Sequence, residues 1–154
     1  MFRRTAAIAV GAAALALPLH AADFRTTADA PTVLYDAPSS RARPQFVFGR
    51  DVPLEVLVAV EGWTKVRDVS GTIGWIANKS LADRRVLQVR VAAADVRATP
   101  DDAAPVAFRA TENVLLELAE QATSPGTTAS PGWVRVKHRD GAVGFVRVSQ
   151  IFGL

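Results

Sequence analysis

Two short runs of the sequence place a tryptophan and two basic residues at alternate positions. They are Trp63, Lys65 and Arg67 in the first run, and Trp133, Arg135 and Lys137 in the second. In a β-strand alternate side chains point to the same face, so each run would present an indole beside two cations. Such a stripe suits a partner with carboxylates and some apolar surface, since each desolvated contact adds about 1–2 kcal/mol. The same pattern also fits the solvated side of a half-buried sheet, with basic stems lying across the tryptophan.

Residues that support catalysis or metal binding are scarce. The sequence has no cysteine, and its histidines are His20 and His138. Thiol nucleophiles, thiolate metal sites and disulfides are therefore excluded. Asp101 and Asp102 are adjacent carboxylates, but they follow Pro100, and we predict a solvated turn there. We predict no catalytic residue, no metal and no cofactor, and a protein that is not an enzyme.

An internal repeat positions both stripes. Residues 62–76 align with residues 132–146 at a separation of 70, so that the glycine-tryptophan pairs and the later glycine-aromatic-aliphatic triplets coincide. Upstream the match continues at a separation of 62. The difference corresponds to one insertion, which we place in the polar stretch Thr123 to Pro131. Self-similarity of this kind indicates two copies of one structural unit.

Each copy has the pattern of β-structure. Alternation places Thr64 and Val66 inward in the first copy, and Val134 and Val136 inward in the second. Glycines in the pairs 70–71 and 140–141 predict tight hairpins between neighbouring strands. Residues 112–121 have the best helical pattern, but they align with a β-rich segment and are predicted to form a strand. Trp75 and Phe145 precede aliphatic residues, and we predict that they belong to the core.

A short charged step, residues 83–85, marks the predicted domain boundary. It gives a first domain at 22–83 and a second at 84–154, and the alternating stretch 86–91 is compatible with either domain or with both. The N-terminal residues 1–21 have the order of a secretory signal peptide: Arg3 and Arg4, an apolar run, then small residues. The run is too short for a bilayer span, which needs about 20 residues. We therefore expect a periplasmic or secreted protein with no membrane span after signal cleavage.

Charge gives no support for nucleic-acid binding. The chain has 18 basic and 15 acidic residues, and two of the basic ones leave with the signal peptide. The mature protein is then nearly neutral and lacks the basic field that nucleic-acid-binding proteins carry.

In this order the motifs resemble the bacterial SH3-like (Src-homology-3) domain family. The shared pattern is a proline-containing turn, a strand leading to glycine-tryptophan, a basic strand, a glycine turn, and a glycine-aromatic-aliphatic triplet. It covers about residues 30–154 of the chain. The resemblance implies an all-β fold of two small SH3-like β-barrels in tandem after a signal peptide. Tandem copies of this kind are similar to small secreted proteins of largely uncharacterised function.

The start of the first copy is also similar to the opening motif of eukaryotic SH3 domains. Tyr35 falls on the first groove tyrosine and Trp63 on the groove tryptophan. The second tyrosine of the opening motif falls on Ala37, the expected proline on Ala77 and the last tyrosine on Ser80. Most of the aromatic residues that line a polyproline-binding groove are therefore absent. We do not expect polyproline binding.

These observations predict a non-catalytic exported protein that recognises cell-wall peptidoglycan or its peptides. Its candidate binding residues are Tyr35 and the two tryptophan-cation stripes. The alternative is a periplasmic protein-interaction adaptor for an envelope enzyme, which would use edge strands or the Thr123 to Pro131 loop. The expected partner is therefore peptidoglycan or an envelope protein, and the oligomeric state is open.

Overall fold

The computed structural model describes residues 22–28, 31–119 and 131–154. The predicted signal peptide at 1–21 lies outside these residues, as does the insertion except for Pro131. Within the described ranges the regular elements are β-strands and two short 3₁₀ turns, Asn78–Ser80 and Val148–Gln150. No helix in this part of the chain is long and apolar enough to cross a membrane.

In the part of the chain that the structure describes, fourteen strands form two antiparallel sheets of seven strands each. The first sheet, called the first unit, contains β1 Phe24–Thr27, β2 Thr32–Tyr35, β3 Pro44–Phe48, β4 Pro53–Val60, β5 Trp63–Arg67, β6 Ile73–Ala77 and β7 Leu81–Ala82. The second sheet, called the second unit, contains β8 Val86–Val89, β9 Ala93–Arg97, β10 Val106–Thr111, β11 Leu115–Leu118, β12 Trp133–Lys137, β13 Val143–Arg147 and β14 Ile151–Phe152.

The two units have the same topology. The strand order is β3-β2-β6-β5-β4-β1-β7 in the first and β10-β9-β13-β12-β11-β8-β14 in the second. Each strand of the first unit therefore has its counterpart in the second, as the repeat predicts. The all-β prediction is confirmed, and the stretch that begins at Val86 contributes its strand, β8, to the second sheet.

Each unit has its own hydrophobic core. The first core consists of Leu34, Phe48, Leu54, Val66 and Ile76. The second consists of Leu87, Val89, Ala94, Val96, Ala110, Leu116, Val136, Val146 and Ile151. Two separate clusters mean that the fold is a duplicated one rather than a single large core.

Local structure follows the predicted alternation. Thr64 and Val66 are buried between the outward side chains of β5, and Val136 is buried in β12. Of the residues with the helical pattern, Leu115–Leu118 instead form β11, which pairs with β8 and β12. At the two predicted hairpins, Gly71 and Gly141 have backbone φ angles of 90° and 97°, which residues other than glycine rarely adopt.

A buried threonine joins β1 to the turn between β3 and β4. The Thr27 hydroxyl donates a hydrogen bond to the Gly49 carbonyl at 2.8 Å and accepts one from the Val52 N–H at 2.9 Å. The equivalent residue in the second unit is Val89, and there Val114 N–H bonds directly to the Thr111 carbonyl at 3.2 Å. The Thr27 hydroxyl therefore bridges a backbone carbonyl and a backbone N–H, whose counterparts in the second unit bond directly to each other.

We expect Thr27→Val to lower the free energy of unfolding of the first unit by about 1 kcal/mol. The valine keeps the volume but removes both hydrogen bonds, and the direct bond seen in the second unit limits the loss. Urea titration followed on backbone amide resonances of the first unit measures the change. Thr72→Val, the same change at an exposed hydroxyl, is the control, and an equal effect of both substitutions would contradict the role of Thr27.

The units contact each other near their ends. The Phe24 and Phe152 rings meet edge to face, with centroids 5.1 Å apart. Because Phe24 belongs to β1 and Phe152 to β14, the first and last strands of the described chain meet at this contact.

Candidate functional site

The aromatic residues of β6 and β13 lie on the outer surface of the sheets. Trp75 and Phe145 are half-buried, and the buried neighbours in these strands are Ile76 and Val146. The prediction that both aromatics belong to the core is wrong. The physical reason is the glycine before each one: it occupies the inward position, so the aromatic side chain that follows must point outward.

In the first unit this reversal builds an aromatic cluster, called the first face, from Tyr35, Trp63, Lys65 and Trp75. The Tyr35 and Trp63 rings are edge to face with centroids 5.6 Å apart. Lys65 Nζ lies 5.9 Å from the centroid of the Trp75 ring. Among the described residues, Lys65 has no ion-pair partner.

Strand pairing brings these side chains together. Trp75 is the cross-strand partner of Tyr35 on one side and of Lys65 on the other. Gly74 permits this arrangement, because a Cβ there would lie 2.8 Å from the Tyr35 carbonyl oxygen and 2.6 Å from Leu34 Cγ. The glycine is therefore required for β2 and β6 to approach closely.

Arg67 follows the alternation of its strand but makes a separate contact. Its guanidinium binds the Glu55 carboxylate, with Nη2 2.7 Å and Nε 2.8 Å from Oε2. The predicted stripe of two cations is thus divided in the first unit. Lys65 lies with the aromatics, whereas Arg67 is engaged by β4.

The second unit carries a different surface, called the second face, made of Arg97, Trp133, Phe145 and Arg147. Arg97 stands at the position of Tyr35, and it is the cross-strand partner of Phe145. Arg147 stands at the position of Ala77, and its guanidinium carbon lies 4.3 Å from the centroid of the Trp133 ring. The Trp133 indole is thus covered by an arginine of its own unit.

Ion pairs hold the arginines of the second face. Arg147 binds Asp102, with Nε 3.2 Å from the carboxylate. Arg97 bonds to Asp95 at 3.2 Å and to the Ala104 carbonyl at 3.0 Å. Arg109 donates to Asp95 at 2.8 Å, and this bond, with the charges of both arginines, lowers the pKa of Asp95 below its usual range.

The remaining predicted residues are placed as follows. Arg135 and Lys137 are exposed on β12, opposite Phe145 and Val143 of β13. Asp101 and Asp102 are exposed in a turn, as predicted, and Asp101 accepts a hydrogen bond from the Ala103 N–H.

Sequence reasoning missed Trp75, Arg97, Phe145 and Arg147 as members of the two faces. The signal for Trp75 was present, since a glycine at an inward position dictates the direction of the next side chain. The contact of Arg147 with Trp133 had no such signal, because it depends on register between β12 and β13. Within the described ranges, no three histidine, cysteine, aspartate or glutamate residues are grouped to hold a metal ion.

Solved structures with a similar chain path include NlpC1 and NlpC2 from Trichomonas vaginalis. The NlpC1 structure is 16% identical with a TM-score of 0.38, over 88% of this chain and 47% of that one. The NlpC2 structure is 17% identical with a TM-score of 0.36, over 84% and 46%. This chain therefore spans about half the length of each of these structures. Likeness at this level shows neither a shared substrate nor a shared activity.

No curated protein matches this sequence. The family model of the bacterial SH3 domain matches twice, at residues 28–83 and 90–153. The two matches correspond to the two sheets of the structure and cover most of the chain. The protein belongs to the bacterial SH3 domain family, with two copies of the domain in tandem.

Proposed function

We propose that the protein is a non-catalytic exported binding protein that recognises cell-wall peptidoglycan or its peptides through the first face. The observation that carries the proposal is the composition of the first face: the Tyr35–Trp63 ring pair, with Trp75 paired across strands to Tyr35 and lying beside Lys65. Bacterial SH3 domains typically bind cell-wall components, which supports the same reading.

The chemistry of the first face matches a short peptide that carries carboxylates. Small aliphatic side chains, such as those of alanine, can pack on the faces of Trp63 and Trp75. A carboxylate can then pair with Lys65, which lacks an ion-pair partner among the described residues. The lysine already lies beside an indole, so little ordering is required when a ligand binds.

Periplasmic or secreted location is part of this proposal. It is supported by the sequence of residues 1–21, in which two arginines, an apolar run and small residues follow one another as in a secretory signal peptide. Because the sequence has no cysteine, the oxidising conditions outside the cytoplasm cannot form disulfides in this protein.

We expect Trp63→Ala to weaken binding to purified sacculi about tenfold, the size expected when one aromatic contact is lost. Trp133→Ala is the matched comparison in the second unit. It is expected to change binding by less than about twofold, because Arg147 already covers the indole. Sedimentation of the purified protein with increasing amounts of sacculi measures both.

The controls separate loss of binding from loss of folding. Each variant must retain the dispersed amide spectrum of the wild-type protein, since both tryptophans are half-buried. The proposal is wrong if the wild-type protein stays in the supernatant, or if Trp63→Ala sediments as well as the wild type.

A second candidate function, the adaptor for an envelope enzyme, is favoured by one observation. Phe46 and Val47 on β3 are 53% and 54% exposed, and β3 is an edge strand of the first sheet. An exposed apolar edge can pair with a strand of another protein. A photo-crosslinking residue at Val47 in intact cells tests this, since a discrete protein adduct would favour the adaptor.

A further inference from the structure

A cleft of about 650 Å³ lies between the two units. Both units and the short connection between β7 and β8 contribute to its walls. The volume is within the range of about 300–1,000 Å³ that small-molecule sites occupy. The cleft is distinct from both faces, because it shares no residue with them.

The lining of the cleft is rich in arginine. Four guanidinium groups come from three separate segments: the β3–β4 turn, the connection between the units, and the β12–β13 hairpin. They are Arg50, Arg84, Arg85 and Arg139. Two carboxylates, those of Asp51 and Glu117, line the same cleft. Positive charge is therefore in excess.

Two of the arginines are held in place and two are unpaired. Arg84 binds Asp51 at 2.7 Å and the Ala28 carbonyl at 2.9 Å, while Arg50 lies 3.4 Å from the same carboxylate. Arg85 and Arg139 have no ion-pair partner among the residues that the structure describes. Their charge is available to a ligand.

The cations are not a by-product of the repeat. The positions equivalent to Arg50, Arg84 and Arg139 in the other copy are occupied by three residues without positive charge. They are Glu112, Leu154 and Val69. Each arginine therefore occurs only in the copy where its position faces the other unit.

We propose that this cleft is an oxyanion-binding site, separate from the first face, for a ligand with carboxylate or phosphate groups. Arginine suits both groups, because its planar fork donates two parallel hydrogen bonds to either one. Apolar side chains complete the walls, among them Val86, Val114 and Leu118. The site therefore accepts an organic anion, and the two unpaired guanidinium groups favour one with two negative charges.

The test is titration of the purified protein, expressed from the full chain, with pyrophosphate in one series and glutarate in another. Backbone amide and arginine side-chain resonances report binding. Saturable shifts at residues 84–86 and 138–140 are expected. The probe that binds more tightly identifies whether phosphate or carboxylate is the preferred group.

Variants make the test specific. The double substitution Arg85→Gln and Arg139→Gln is expected to weaken binding at least about tenfold. Arg41→Gln removes an exposed arginine outside the cleft and should change affinity less than about twofold. The proposal is overturned if neither probe gives saturable shifts, or if the double variant binds like the wild type.

The outcome is independent of cell-wall binding. The double variant should still sediment with sacculi like the wild type, and Trp63→Ala should still bind the small anion. If the wild-type protein sediments with sacculi but binds neither probe, the cleft proposal is refuted and the proposal for the first face is unaffected.

Discussion

Substitution of Gly74 by alanine is expected to lower the free energy of unfolding of the first unit by about 3 kcal/mol. The added Cβ would lie 2.6 Å from Leu34 Cγ and 2.8 Å from the Tyr35 carbonyl oxygen. One of these atoms belongs to the core and the other to the backbone of a paired strand, so neither can move freely. A domain of about 60 residues is stabilised by only about 3–9 kcal/mol, so the substitution would remove about a third or more of that stability.

Two further variants make the prediction sharp. Gly49→Ala introduces the same methyl group in the same unit, but nothing lies within 4 Å of its Cβ position, so we expect little change. Gly144→Ala repeats the clash in the second unit, 2.7 Å from the Arg97 carbonyl oxygen, and should destabilise that unit alone. Urea titration followed on amide resonances of each unit separates these effects. A shared loss in both units would contradict the existence of two separate cores.

The repeat made most of the fold predictable. Alternation identified the buried positions of β5 and β12, because burial of one sheet face imposes a period of two. The alignment of the two copies also overruled the helical pattern of residues 112–121, of which Leu115–Leu118 form β11. A β-strand pattern that is weak in one copy becomes clear when the aligned segment of the other copy shows it as well.

The candidate site was predictable only in part. Trp63 and Lys65 were identified from their own strand, whereas the place of Trp75 depends on which face Gly74 occupies. The interpretation that placed Trp75 in the core rested on the aliphatic residue that follows it and did not consider the alternation of the strand. The first face is therefore a product of three strands, and a pattern read along one strand captures only the residues on it.

The two units differ in chemistry although they share a fold. Tyr35 of the first unit corresponds to Arg97 of the second, and Ala77 corresponds to Arg147. In the second unit, Arg147 covers the Trp133 ring and forms an ion pair with Asp102. Aromatic contacts therefore characterise the outer surface of the first unit, and charged contacts that of the second.

The contact between the units yields the second prediction of large effect. Gly153 follows β14 with φ of 108°, and a Cβ there would lie 2.8 Å from the Val86 carbonyl oxygen and 3.0 Å from Pro53 Cβ. Val86 belongs to the second unit and Pro53 to the first. We expect Gly153→Ala to destabilise the second unit by about 3 kcal/mol, through backbone strain and steric overlap together.

Gly141→Ala separates those two causes. Its φ of 97° is similar, but no atom lies within 4 Å of its Cβ position, so only the backbone strain of about 1–2 kcal/mol should appear. A second readout concerns the interface itself. The nuclear Overhauser contact between the Phe24 and Phe152 rings should be lost in Gly153→Ala and retained in Gly141→Ala. Equal destabilisation by both, with the ring contact intact, would contradict a packed interface. Because Val86 also lines the cleft between the units, a loosened interface should weaken anion binding there and spare binding at the first face.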